Sequence, residues 1–166
     1  VSQVVILTED ITFAKQRERE LKAIADISQS LRAAQVRSDM LPIILNEVNR
    51  SLNCKSSLIA LGNEAGGEII IELAVGSWSG VNHLHLSADQ NVFKDIIGPK
   101  QQYTTDDVRT DPRITFSDLL DGDYSAAAVP LAVKQSAIGA LAIGRSTVFS
   151  TEDIKILKAI AQTGAN

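Results

Sequence analysis

Three stretches of this chain, Ile69–Val75 (IIIELAV), Ala126–Val133 (AAAVPLAV) and Ala137–Ile143 (AIGALAI), are apolar almost without interruption. They have strand length and are bounded by turn residues. A sheet with one face in water would alternate apolar and polar side chains, whereas a near-continuous run belongs to a strand buried on both faces. The chain must therefore place covering elements on each side of a central sheet.

The rest of the sequence supplies candidates for both covers. From Phe13 to Ala34 the pattern turns helical, with a charged start and a stripe of Ile24, Ile27, Leu31 and Ala34 at 3-4-3 spacing. That stripe suits either a coiled-coil seam or a face resting on a sheet. A second helix follows, with Asp39 as cap, Pro42 in the first turn and its end near Asn53. Ser57–Leu61 and Ile69–Val75 form a hairpin, and His83–Leu86 a short third strand beyond the Gly76–Gly80 turn. Val92, Phe93, Ile96 and Ile97 define a short helix stopped by Gly98-Pro99. A last hairpin, Tyr124–Val133 and Ala137–Ile143, leads into a helix capped by Ser150 or Thr151, with a stripe of Ile154, Leu157, Ile160 and Ala161. The long terminal helices can cover one face. The Val92 helix and the 104–123 segment remain for the other, and a long irregular cover is where a pocket can form.

Composition narrows the function. The chain has 166 residues and is 45% apolar but only 4% aromatic, which fits one domain with a largely aliphatic core. Its net charge of -4 gives no electrostatic footprint for nucleic acid or an anionic membrane. The charge is concentrated: Thr104–Asp123 holds six Asp against Arg109 and Arg113, a net -4, and these arginines are expected to pair locally. Cys54 is the only cysteine, so no internal disulfide forms, and a reducing, cytoplasmic setting is expected. No apolar run reaches bilayer-spanning length.

Four segments together resemble the C-terminal half of a GAF domain: Asp107–Arg113 (DVRTDPR), Ala128–Leu131 (AVPL), Ile138–Leu141 (IGAL) and Phe149–Asp153 (FSTED). The resemblance implies an α+β fold: a central antiparallel sheet of about six strands, terminal helices on one face and a short helix and loop cover on the other. It also implies a regulatory or sensory module of a multidomain signalling protein with an output module such as a histidine kinase or cyclase. Val4–Leu7 followed by Asp10-Ile11-Thr12 resembles the end of a PAS domain running into its linker. Residues 1–20 are thus expected to be the tail of an upstream PAS-like domain and linker, and residues 21–166 the GAF domain.

The chemistries that accompany this resemblance fit unevenly. Methionine-sulfoxide reduction needs several cysteines to pass a disulfide, and Cys54 alone reads as a small buried hydrophobe. No nucleophile–base spacing or phosphate-cradling loop appears, so catalysis is not expected. Covalent bilin attachment would need a cysteine near Asp111–Tyr124, where none occurs. The cyclic-nucleotide pattern keeps Phe149 and Asp153, but Ile154 replaces its Glu and Gly144-Arg145 stand in place of Asn-Lys, so they read as a core anchor and a helix-start carboxylate. His83 and His85, read as alternate residues of one strand, share a face as metal or haem ligands would, yet no third ligand follows by spacing. Haem is therefore not expected either. Asp121-Gly122-Asp123 lacks the earlier acids of a calcium loop.

Two functions follow. In one, an unidentified small molecule binds beneath the cover, with Trp78, His83, His85, Phe93, Ile97, Asp107, Arg113 and Phe116 as candidate contacts. In the other, the domain is a ligand-free dimerisation and relay module, its terminal helices pairing with a second copy.

Overall fold

A computed structural model describes residues 11–33, 37–62, 67–87, 91–133 and 136–165. The strand expected at Val4–Leu7 lies outside the described residues, as do Ala34 and the side chains of Ile27 and Leu31. The chain runs α1 (Ile11–Ala33), α2 (Arg37–Ser51), β1 (Ser56–Leu61), β2 (Glu68–Val75), β3 (His85–Ser87), α3 (Val92–Ile97), β4 (Tyr103–Thr105), β5 (Ser125–Val133), β6 (Ser136–Arg145) and α4 (Thr151–Ala165). Short 3-10 turns occupy Gly76–Val81, Val108–Thr110 and Ser117–Leu119. The six strands form one sheet in the order β3-β2-β1-β6-β5-β4. Every neighbouring pair is antiparallel.

The sheet is covered on both faces, as its apolar runs require. On one side α2 and α4 pack against it, with α1 resting on both helices. On the other lie the Gly76–Val81 turn, α3 and the segment that follows β4, from Asp106 to Tyr124. The two faces differ in side-chain size. Ile59, Val129, Leu131, Leu141 and Ile143 point to the helices. Ala60, Ala126, Ala128, Ala140 and Ala142 point to the opposite cover. Along Ala140–Gly144 the continuous apolar run thus hides a period-two alternation of small and large, whereas β2 places Ile69 and Ile71 on the cover side. Small residues on one face leave the depth that Trp78, Phe93 and Phe116 fill.

Local chemistry sets the helix ends. At the end of α2, Asn53 takes φ 52°, the left-handed conformation that Asn tolerates at a helix terminus. The Cys54 N–H then reaches back to the Asn49 carbonyl at 3.1 Å, completing a Schellman-type stop. Ser150 is the cap of α4. Its N–H donates to Asp153 Oδ2 (2.9 Å) and its Oγ accepts from the Asp153 N–H (3.1 Å), a reciprocal capping box.

Three local expectations need correction. Because α2 begins at Arg37, Pro42 lies inside the helix beyond its first turn, and Asp39 is a first-turn carboxylate and not the cap. The third strand is His85–Ser87, not His83–Leu86, because His83 sits in a turn at φ 65°. β4 was hidden in the sequence by its three-residue length, at the start of the acidic loop.

Candidate functional site

Between the cover and the alanine face of the sheet lies a cavity of about 30 Å³. That is room for about one or two water molecules. Its floor is Leu58, Ala126, Ala128 and Ala142. Its walls are Trp78, Val92, Phe93, Ile96, Tyr103, Val108, Ile114, Phe116 and Leu120. Phe93 from α3 and Phe116 from the loop stack with centroids 5.9 Å apart and planes 9° from parallel. This offset arrangement is favoured between aromatic rings. The lining contains only two polar side-chain groups, the Trp78 indole N–H and the Tyr103 hydroxyl, and both are already engaged.

One end of the cover is pinned at Trp78. Its Nε1–H donates to the Asp123 carbonyl at 3.1 Å. The Ser56 hydroxyl donates to Asp123 Oδ2 (2.6 Å) and accepts from the Ser77 N–H (3.1 Å). Gly122, at φ 86°, supplies the turn that brings this acid back to the sheet.

The other end is pinned by two copies of one local device, Asp-x-Arg. Asp107 accepts from the Arg109 backbone and guanidinium, and Arg109 lies 3.7 Å over the Tyr124 ring. Asp111 does the same for Arg113, which lies 5.3 Å over the Tyr103 ring. Arg113 also reaches Asp95 on α3 at 2.7 Å, while its carbonyl accepts from the Val92 N–H. The Arg109 side chain holds the Asp107 carboxyl below the usual range. The Arg113 guanidinium does so for Asp111, against an opposing push from burial. The local pairing of both arginines agrees with the sequence reading.

Of the eight candidate contacts, Trp78, Phe93 and Phe116 line the cavity. Ile97 is buried in the same cluster but does not reach the lining. Asp107 and Arg113 brace the loop and contribute no surface to the cavity. His83 and His85 are exposed and belong to different elements, so their shared strand face does not exist. His85 Nδ1 instead lies 2.6 Å from Glu68 Oε1. Among the described residues no cluster of three His, Cys, Asp or Glu side chains could hold a metal. The alanine floor escaped sequence reasoning, although alternate small residues in ALAIG signal part of it.

Two motif positions have structural work. Arg145 donates to the Leu52, Thr147 and Val148 carbonyls and to Asp153 Oδ2 (2.6 Å), and lies 4.2 Å over the Phe149 ring. Burial acts to raise the Asp153 pKa, but the Ser150 N–H and Arg145 outweigh it and hold the carboxyl below its usual value. Cys54 is buried, and its thiol donates to Asn49 Oδ1 at 3.3 Å. Burial pushes that thiol up to about 12, so little thiolate exists at neutral pH.

The GAF domain family profile matches residues 34–166, and the chain belongs to this family. No curated protein matches it. Its fold is similar to the GAF domain of a phosphoenolpyruvate-protein phosphotransferase from Coxiella burnetii, with TM-score 0.76, 17% identity, and coverage of 89% of this chain and 91% of that one. It is similar to the GAF domain of A. aeolicus nlh2 in an inactive state, with TM-score 0.71, 14% identity, and coverage of 90% and 95%. It is also similar to a free methionine-R-sulfoxide reductase from Neisseria meningitidis in complex with its substrate, with TM-score 0.72, 13% identity, and coverage of 99% and 94%. The GAF fold is a regulatory and sensory one in signalling proteins, and some of its bearers are enzymes. No helix among the described residues is long and apolar enough to cross a membrane.

Proposed function

We propose that this domain is a non-catalytic regulatory module of a multidomain signalling protein, and that it acts as a relay with a closed interior. The observation that carries this reading is the size of the cavity. Ligand pockets usually measure about 300–1,000 Å³. Here Phe93 and Phe116 leave about 30 Å³, and no free polar group points into it. Signal then passes between the terminal helices α1 and α4, which are in contact on one face of the sheet. An upstream PAS-like domain, a downstream kinase or cyclase, a cytoplasmic setting and a homodimer through the terminal helices complete the proposal. Leu21 is exposed on α1, which offers a second copy an apolar contact.

A second reading, binding of a small apolar molecule, is favoured by one feature. The Arg113–Asp95 tether of the cover is exposed at both partners, so breaking it costs little and the cover can open there. Native mass spectrometry of protein purified from its own host, with sedimentation across the micromolar range, separates the two. The relay reading expects a dimer carrying no small molecule. A stoichiometric bound mass, or a metabolite that stabilises the fold by about 2.7 kcal/mol at a hundredfold excess over its Kd, would establish sensing instead.

A further inference from the structure

The described part of the molecule offers few other features for recognition. The groove beside α2, about 500 Å³ and open to solvent, is lined by Pro42, Ile43 and Val75 with Asn46, Asn49 and Lys55, and nothing in the structure shows what covers it. The depression beside α4 sets the surface Lys155 and Lys158 and the helix start against Gln102 and Thr104, with no buried polar group aimed into it. The end of β6 is different, because two adjacent residues there connect opposite layers of the molecule.

Neighbouring residues of a strand face opposite sides of the sheet. At residue 144 the cavity side is occupied by the Trp78 indole, which lies where a side chain would otherwise project. Gly144 pairs in register with Ser56 on one side and Ala126 on the other. Ser56 in turn holds Asp123, whose carbonyl holds Trp78. The next residue, Arg145, faces the helices. Its guanidinium collects the last carbonyl region of α2 at Leu52 (2.7 Å) and the capping carboxylate of α4 at Asp153 (2.6 Å). It is 18% exposed, with its donors committed to four acceptors, so it cannot shift without disturbing both helices.

We propose that the Gly144–Arg145 dipeptide is the coupling point between the cover and the output-side helix. Displacement of Trp78 by movement of the Asp121–Asp123 turn tilts the end of β6, and Arg145 passes that tilt to the start of α4. The inference rests on the relay reading for its direction, but the coupling itself needs no ligand and no output module. Arg145 and Asp153 are positioning residues, joined to Trp78 only through the backbone.

Trp78 is the sole tryptophan, so its indole N–H gives one peak in a nitrogen-15 spectrum of the whole chain. Asp153→Asn and Arg145→Lys, both on the far side of the sheet, should shift that peak by several linewidths. Thr163→Ala is the control. It removes a hydroxyl bond to the Ala159 carbonyl in the same helix, away from Arg145, and should leave the peak in place. Reciprocally, Trp78→Phe should cost the Asp153 and Ile154 amides their protection from exchange, while Leu157 and Ile160 keep theirs. An unmoved indole peak in folded Asp153→Asn overturns the proposal, as does an equal shift in Thr163→Ala. Should Arg145→Lys not fold, Asp153→Asn and the Trp78→Phe exchange pattern decide the matter. A failed coupling would leave the closed interior, and hence the relay reading, to be judged by the mass spectrometry above.

Discussion

The indole of Trp78 occupies the space that a side chain on Gly144 would need: a Cβ there would meet Trp78 Cζ2 at 2.1 Å. The ring is 2% exposed and tethered through Nε1, so it has nowhere to retreat. Gly144→Ala should therefore destabilise by about 1–3 kcal/mol, the usual cost of overpacking. It should also move Trp78 emission to the red as the indole is pushed toward solvent. Urea denaturation followed by fluorescence checks both, and an unchanged midpoint with unchanged emission would refute the packing described.

The cavity makes opposite predictions for filling and emptying. Ala128→Val adds two methyl groups to the floor, where space exists, and is expected to change stability by less than about 1.5 kcal/mol. Phe116→Ala removes the ring stacked on Phe93 and should cost about 3–5 kcal/mol. Thermal unfolding of the two variants side by side tests whether the interior is as nearly full as the geometry indicates.

The layer architecture was legible because apolar runs too continuous for a half-wet sheet leave few alternatives. Which residues face which layer was not, because alanine counts as apolar on both sides and only its size reveals the cavity floor. Trp78, Phe93 and Phe116 could be selected as large aromatics near the cover. Asp107 and Arg113 lie away from the cavity because each is satisfied by a neighbour two residues along, Arg109 for Asp107 and Asp111 for Arg113, and charge alone does not distinguish that pairing from a ligand contact. The strand face shared by His83 and His85 is absent because of a single backbone angle at His83 that no alternation pattern reports.

Asp111 ties β4, the loop and, through Arg113, α3, so its charge should matter to the cover. Asp111→Asn should lower stability at neutral pH by about 1.5–3 kcal/mol, the range for hydrogen bonds to charged groups. The folded pKa lies below the unfolded value near 4, so the stabilisation is present above that value and is lost as pH falls through the folded pKa. The gap between wild type and variant should accordingly shrink below about pH 4. Equilibrium unfolding at a series of acidic pH values measures it.

Ser57 is fully buried on the helix face of β1, and its hydroxyl is the one buried side-chain oxygen among the described residues without a partner. An unsatisfied buried polar group costs about 1–3 kcal/mol. Ser57→Ala should consequently be neutral or stabilising, in contrast to the usual loss on altering a core strand. A midpoint lower than that of the wild type would mean that the hydroxyl has a partner after all.

Alkaline pH should destabilise the domain in two stages. Burial pushes Cys54 from an ordinary 9.0 to about 12, and burial with the Asp111 hydrogen bond pushes Tyr103 from 10.0 to about 12. Both groups are raised in the folded state, so each contributes stability that is complete below its unfolded pKa and is lost as pH rises through the folded one. The loss should begin near pH 9.0 from Cys54 and steepen above 10.0 as Tyr103 joins it. Cys54→Ala should delay the onset, and Tyr103→Phe should flatten the second stage while sparing the first. Denaturant midpoints between pH 8 and pH 11, at roughly half-unit steps, resolve the two contributions because the unfolded thiol and phenol ionise about one unit apart. If Tyr103→Phe parallels the wild type throughout, the Tyr103 hydroxyl is neither buried nor bonded to Asp111 in solution, and that tether of β4 to the loop is absent.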